Sequence, residues 1–471
     1  MAVFYNAGEV KTRPGVYQRY SNIGGSPLAG AQDGICAIPI QSNWGPLGKV
    51  LRFGSTKELE EVFGSGDYSA TFTVPAAAEL FRGGASVVYA YRLGTGGTAA
   101  SKAVTGGPTF TAKYPGAVTL AVSVAAKVGD NSTKVLNVYK GTELVETFEF
   151  AADGENEGAN LVAAAEGSEY ITVTASDVGT VAPIAAASGG LTGGANPSVT
   201  NASYSTAFAA LETYTFNTIC LDKDDDSNVS LSLLLQTYLD EAYRKGKLAI
   251  AVVGEKTTVA FETRLSHAKA FNDAKTVYLG GGWKSGTESK DGVLSIAYTA
   301  GLIASTPSNH GITHTVVRGA TELCESLTYA QYEDAIKAGM LMVSLSPDGQ
   351  IWYDSAINTL ISPAANEDEG WKKIRRVKVR FELFDRLDRS LAPKVGKISA
   401  DSDGIADVVQ TGMRLLTAMA SEGKLQPGGV FAEDPDNPYA GDSAWFIIQA
   451  DDIDSLEKIY LHYQFRYSQN I

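Results

Sequence analysis

The stretch from Ala297 to Thr359 constrains this chain more than any other, because helical and extended patterning alternate in it with a defined stop between them. Thr328 and Gln331 make a T-x-x-Q capping box before a short predicted helix, each side chain satisfying a backbone amide that the first turn leaves free. Tyr329, Tyr332 and Ile336 are expected to share one face of that helix. Gly339 stands where a left-handed C-terminal cap belongs. The apolar run Met340 to Leu345 then reads as a strand, Ser346-Pro347-Asp348-Gly349 as a tight turn, and Ile351-Trp352-Tyr353 as the returning strand.

A chain of 471 residues exceeds one ordinary domain, and two to four are expected. Its 44% hydrophobic and 20% charged content suits a soluble globular protein with sizeable cores. The 39 basic and 53 acidic side chains leave a net charge of -14, which argues against a general nucleic-acid binder and still leaves room for local basic patches. The start, MAVFYNAGEVKTRPGVY, lacks a basic region followed by an apolar one, so no secretory signal is expected. No apolar run approaches the roughly 20 residues that cross a bilayer. Cys36, Cys220 and Cys324 are far apart and odd in number, and the first two sit in apolar, strand-like runs. They read as buried reduced thiols, which suits synthesis in a reducing cytoplasm.

Composition divides the chain. Arg13-Pro14-Gly15-Val16-Tyr17 reads as extended, since proline and the residue before it both avoid the helix. GICAIPIQSNWGPLGKVLRFGSTKELEEVFG then gives strand, turn, strand and a helix capped at Ser55 or Thr56, and TVPAAAELFRGGASVVYAYRL gives helix, glycine stop and buried strand. After Leu93 a Gly-rich linker leads to short alternating strands from Phe110 to about Thr192, closed by the Gly-rich ASGGLTGGANPS. This middle unit reads as a small β-sandwich or barrel. Helix–strand alternation resumes at Tyr204, with TFNTICL and KLAIAVVG as buried strands, so the β unit is an insertion in a discontinuous α/β domain. Beyond Thr359, EGWKKIRRVKVRFELFDRLDRSLAPKVGK reads as a long basic amphipathic helix, although Arg375 to Phe381 also fits a strand, and DSDGIADVVQTGMRLLTAMASEGKL reads as a second helix. In the terminal LEKIYLHYQFRYS, Ile459, Leu461, Tyr463, Phe465 and Tyr467 alternate with polar residues, the period of a strand with one apolar face.

These pieces in this order resemble the contractile-tail sheath proteins: RPGVY, NWGPLGKVLRFGSTKELEEVFG, LFRGGASVVYAYRL, LTGGANPSVTNASY, the Ala297–Thr359 stretch and LEKIYLHYQF. The insert matches only through KYPG, Lys113 to Gly116. The resemblance implies an α/β (α+β overall) fold. Its parts would be an extended arm over 1–20, a subtilisin-like α/β core over 21–95 plus 193–359 and an inserted β-sandwich or barrel over 96–192. An α+β polymerisation domain over 360–457 and a terminal strand or arm over 458–471 would complete it. It implies a structural subunit that polymerises as stacked, hexameric rings around a tail tube and contracts to drive the tube through a cell envelope. The partners implied are further copies, the tube protein, and baseplate and terminator proteins, without nucleic acid, membrane insertion or cofactor. The setting implied is a virion tail or phage-tail-like particle, made and assembled in the bacterial cytoplasm. Family members link neighbours through arms that add strands to an adjacent C-terminal sheet, which places Val16, Tyr17, Ile459, Leu461, Tyr463 and Phe465 at inter-subunit contacts. The family's C-terminal domain faces the tube, and Lys372, Lys373, Arg375, Arg376 and Lys378 are the candidates for a tube-facing basic surface, with a plain solvated helix as the alternative.

Two other classes stay open: a hydrolase on the α/β scaffold, and a static tube or baseplate component. A triad needs nucleophile, base and orienting acid, and the four histidines, His267, His310, His314 and His462, stand beside no recognisable nucleophile motif. G-x-S-x-G and H-E-x-x-H are absent, and the glycine-rich GTGGT and LGGGWKSG lack both nucleotide-binding patterns. Asp222, Asp224, Asp226 and Asn228 mimic the opening of a calcium loop, but Ser227 replaces its glycine and Leu233 its bidentate glutamate. Capping of the helix that starts near Val229 explains the run more simply.

Overall fold

The computed structural model describes residues 33–104, 107–154, 156–174, 184–225, 227–365 and 367–466, together with two short strands near the start. Those two, β1 (Val3–Phe4) and β2 (Tyr17–Gln18), pair in parallel with Val3 opposite Tyr17. The run ICAIPI forms β3 (Ile35–Ile40), buried at all but its first residue because helices cover both faces of its sheet. β4 (Val50–Phe53) leads to α1 (Thr56–Phe63), where the Ser55 hydroxyl accepts the Glu58 amide at 3.3 Å. α2 (Val74–Gly83) stops at Gly84, whose φ of +118° suits glycine, and β5 (Val87–Arg92) returns beside β3.

The inserted stretch follows as β6 (Ser101–Ala103), β7 (Thr109–Ala112), β8 (Leu120–Lys127), β9 (Asp130–Lys140), β10 (Glu143–Ala151), α3 (Glu157–Ala164), β11 (Ile171–Thr174) and β12 (Ala187–Gly190). Two antiparallel sheets, ordered β10-β9-β8-β12 and β11-β7-β6, share a core of Phe110, Leu120, Val122, Leu136, Val138, Phe150 and Ile171. The strand-only reading of this stretch missed α3, which adds Leu161 to that core. The Gly-rich joints are not loose tethers. Thr95, Thr98 and Ser101 bridge Ser198, Ala195 and Thr192, so entry and exit zip into one ladder.

The chain then resumes the α/β pattern with α4 (Asn201–Leu211), β13 (Thr218–Cys220), α5 (Ser230–Arg244), β14 (Ile250–Gly254), α6 (Phe261–Phe271) and β15 (Thr276–Leu279). β16 (Trp283–Ser285), β17 (Glu288–Lys290), α7 (Val293–Ser305), β18 (Glu322–Leu323), α8 (Tyr329–Lys337), β19 (Met340–Leu341), β20 (Val343–Leu345) and β21 (Ile351–Tyr353) complete this part. The seven-stranded sheet runs β19-β15-β14-β13-β3-β5-β4 and is parallel except for β4. One face packs on α1, α2 and α7, the other on α4, α5, α6 and α8. Gly83 and Gly301 let α2 and α7 cross closely, since a Cβ on either would run into the other helix's backbone.

Details of the Ala297–Thr359 reading change. The capping box at Thr328 and Gln331 is present and Gly339 has φ +72°. Tyr329 and Ile336, however, face outward, while Ala335 is buried and the Tyr332 hydroxyl donates to Val343 O at 3.2 Å. The run 340–345 is two strands: β19 extends the large sheet, and β20 pairs with β21 as a hairpin. All of Met340 to Val343 is buried, so hydropathy carries no mark of the change of sheet.

The last part holds α9 (Ile374–Leu391), α10 (Ser402–Ser421), β22 (Val430–Glu433) and β23 (Phe446–Gln449). Of the two readings for Arg375 to Phe381, the helix holds, and α10 begins at an Asp401 side chain that accepts the Gly404 amide at 2.9 Å. α9 serves two cores at once. Ile374, Val377 and Phe381 enter the core of the large sheet, and Val379, Leu383 and Leu387 pack with Leu415, Leu416, Met419 and Phe431.

Candidate assembly surface

Burial on two sides leaves the cations of α9 little open surface. Lys372 pairs with Glu369 at 2.7 Å, Lys373 with Glu457, and Arg375 donates to Ser455 Oγ at 3.0 Å. Arg376 grips Asp452 through two bonds of 2.7 Å. Lys378 is buried and donates to the carbonyls of Ile303 and Thr306, and burial pushes its ammonium down to about 8. These five residues are therefore not a displayed basic face. Four of them bind acidic or polar groups within the chain, and Lys378 is an internal peg.

Lys373, Arg375 and Arg376 hold the segment after β23. Asp451 O accepts Gln426 N at 2.7 Å, Ile453 N donates to Lys424 O at 3.0 Å, and Glu457 also takes the Thr313 hydroxyl at 2.9 Å. Burial opposes ionisation of Asp452, yet hydrogen bonds from Arg376 and Arg380 outweigh it and keep that carboxyl below the ordinary aspartate range. Glu457 is the last anchor among the described residues.

Past it, 458–466 form no strand within the single chain. A strand needs a ladder partner, and within one chain this segment meets none among the described residues. All of 458–466 is exposed, its apolar side chains included: Ile459 is 71% exposed, Leu461 68%, Tyr463 70% and Phe465 93%. The Tyr463 and Phe465 rings stack with centroids 6.4 Å apart, as i and i+2 do on extended backbone. The same C-terminal part carries a sheet of only two strands. β22 and β23 pair only with each other, Phe431 opposite Ile448, and Trp445, Ile447, Ile448 and Val430 are exposed. Of the N-terminal candidates, Tyr17 lies in β2 and Val16 lies outside the described residues.

Residues 198–359 match the family model of the phage tail sheath protein central domain. The match is confined to this stretch. It runs from just before α4 to just past the β20–β21 hairpin and supplies four of the seven strands of the large sheet. Along the chain, the phage-like element PBSX protein XkdK of Bacillus subtilis is 22% identical over 480 residues, covering 97% of this chain and 98% of that protein. The sheath tail protein from Desulfitobacterium hafniense has the same fold, with TM-score 0.72 at 19% identity over 93% of this chain and 100% of that one. The anti-feeding prophage helical sheath in its contracted state aligns with TM-score 0.56 at 10% identity, over 97% and 99% of the two chains.

In open α/β sheets ligands bind beyond the carboxyl ends of the strands, where the strand order reverses. In this sheet that point lies between β3 and β13, and the chain's own side chains fill it. Asp222 is fully buried and accepts the Tyr204 hydroxyl at 2.6 Å, Thr73 Oγ1 at 2.7 Å and Gln41 Nε2 at 3.3 Å; burial pushes its carboxyl up. The calcium-loop mimic is spent on helix capping: Asp225 accepts the amides of Leu231 and Ser232 at 3.0 and 2.7 Å, and Asp224 that of Val293 at 3.1 Å. Asp226 lies outside the described residues. Among the described residues no cluster of three His, Cys, Asp or Glu side chains could hold a metal, and no helix is long and apolar enough to cross a membrane. His267 contacts Glu255 at 2.7 Å, His310 contacts Asn309 at 2.8 Å, and His314 stacks on Trp352 at 3.8 Å.

Sequence reasoning missed the anchoring of the last segment. Its signal was available in DDIDSLE, an acidic run that complements KKIRRVKVR.

Proposed function

We propose that this chain is the subunit of a contractile tail sheath, polymerising as stacked rings around a tail tube and contracting to drive that tube through a target envelope. One observation carries the reading. In a chain with the sheath fold, an apolar period-two segment stands exposed beyond a firmly held root, and the same chain carries a two-stranded sheet with open edges. In the polymer the arm would leave its own subunit and add a strand to a neighbour's β22–β23, with main-chain bonds for strength and alternate side chains for register. The N-terminal stretch through Tyr17 would reach a second neighbour.

In this reading 21–95 plus 193–359 act as one subtilisin-like body carrying the 96–192 insert, and 360–457 form the polymerisation domain. Because α9 sits in both cores, the two bodies would move together while the arms take up the displacement. The tube, baseplate and terminator proteins of a bacterial tail or tail-like particle would be the other partners, and the energy would lie in two packings rather than in a bound fuel. Electron microscopy of the purified chain tests the reading. Tubes of stacked rings are expected, and a monomer that turns over a substrate would replace the sheath by a hydrolase.

A further inference from the structure

The segment Asp451 to Glu457 leaves the end of β23 and is held almost residue by residue. Asp452 takes two bonds of 2.7 Å from Arg376 and two of 3.2 Å from Arg380. Arg380 is itself fixed by Asp368 at 3.0 Å and lies over the Trp371 ring, 4.6 Å from its centroid. Ser455 is tied to Arg375 and Glu457 to Lys373, so the chain descends α9 toward its N-terminal end. This course carries the arm away from β23, the strand it would otherwise meet first.

We propose that Arg376 and Arg380, acting on Asp452, are positioning residues that aim the arm away from its own β22–β23 sheet, so that a second copy of this chain fills that sheet. The inference rests on the arm-exchange reading above and adds what makes exchange win over self-pairing. An arm freed at Gln449 could fold back along β23 as a hairpin. A short linker presents it there at an effective concentration on the order of millimolar, above that of unassembled neighbours. Such self-pairing would cover the open edge and bury the same four side chains without joining two subunits. A root gripped by two guanidiniums, with the Asp452 side chain only 7% exposed, prevents that turn.

The test uses the full chain with Cys324→Ser, Ile447→Cys and Tyr463→Cys, joined by a flexible bis-maleimide and separated on a denaturing gel. With Asp452 intact, adducts between chains are expected. With Asp452→Asn, the ratio of within-chain to between-chain adducts should rise roughly tenfold or more. Asp452→Glu, which keeps the charge, should retain the between-chain ladder, an outcome that a purely space-filling role would not produce. Should Asp452→Asn weaken the fold, Arg380→Gln is the milder change and should move the ratio the same way. An unchanged ratio in folded Asp452→Asn and Arg380→Gln chains overturns the proposal. A parent chain that forms no adduct between chains overturns the arm-exchange reading itself, before any charge at the root is altered.

Discussion

Arg92 joins the insert to the large sheet with no exposed surface of its own. Its guanidinium donates to Ser42 O at 3.1 and 2.8 Å, to Gly45 O at 2.5 Å and to Pro115 O at 2.7 Å, while Trp44 packs between Tyr114 and Tyr170. Arg92→Met would leave three carbonyls short of a donor, at about 1 kcal/mol or more each. We expect a loss of about 3 kcal/mol, read by urea denaturation. Glu422 provides a pH-dependent contribution. A hydrogen bond from Arg386 outweighs its partial burial and, with Lys424, holds its carboxyl at about 2. The folded value lies below the ordinary glutamate value, so this stabilisation is complete above about pH 4.5 and is lost as pH falls toward 2. Because the side chain is 38% exposed, screening cuts the contribution to about 1 kcal/mol. Glu422→Gln should thus be less stable at pH 7, with the difference from the parent shrinking as pH falls from about 4.5 toward 2.

Among the elements, those with local punctuation were legible in the sequence. Ser55 before α1, Thr328 and Gln331 before α8, and the Gly83–Gly84 stop after α2 each satisfy free backbone groups with a neighbouring residue, so a short window contains the cause. The errors arose where the deciding partner is distant in sequence. The split between β19 and β20 depends on which sheet receives each half, and the cations of α9 depend on Asp452 and Glu457, some eighty residues on. Alternation in 458–466 reports an apolar face but cannot say which chain would supply its sheet. The insert has its own core and zipped ends, so it should be separable. Replacing 99–194 with a short Gly-Ser linker, together with Trp44→Ser to remove the ring it would uncover, should leave a folded chain that still forms tubes by electron microscopy. A folded variant without tubes would show that the insert carries a contact between subunits.

For the whole molecule, the division into α/β core, β insert and C-terminal part could be read from composition because each change of character follows a Gly-rich or polar joint. The proposed assembly site could not, since its two halves would belong to different copies. The proposed polymer would depend on the arm for its cohesion. Docked in a neighbour, 458–466 could make on the order of six hydrogen bonds worth about 1 kcal/mol net each. Burial of Ile459, Leu461, Tyr463 and Phe465 would add roughly 1.5–3 kcal/mol per fully buried side chain, against the cost of ordering the arm. None of these contacts contributes to the isolated subunit, whose last anchor among the described residues is Glu457. Deleting residues 458–471 and comparing the truncated and full chains by sedimentation, thermal melting and electron microscopy therefore tests the account most directly. It predicts a monomer with the parent's cooperative melt and no tubes. A truncated chain that still assembles into normal tubes would contradict it.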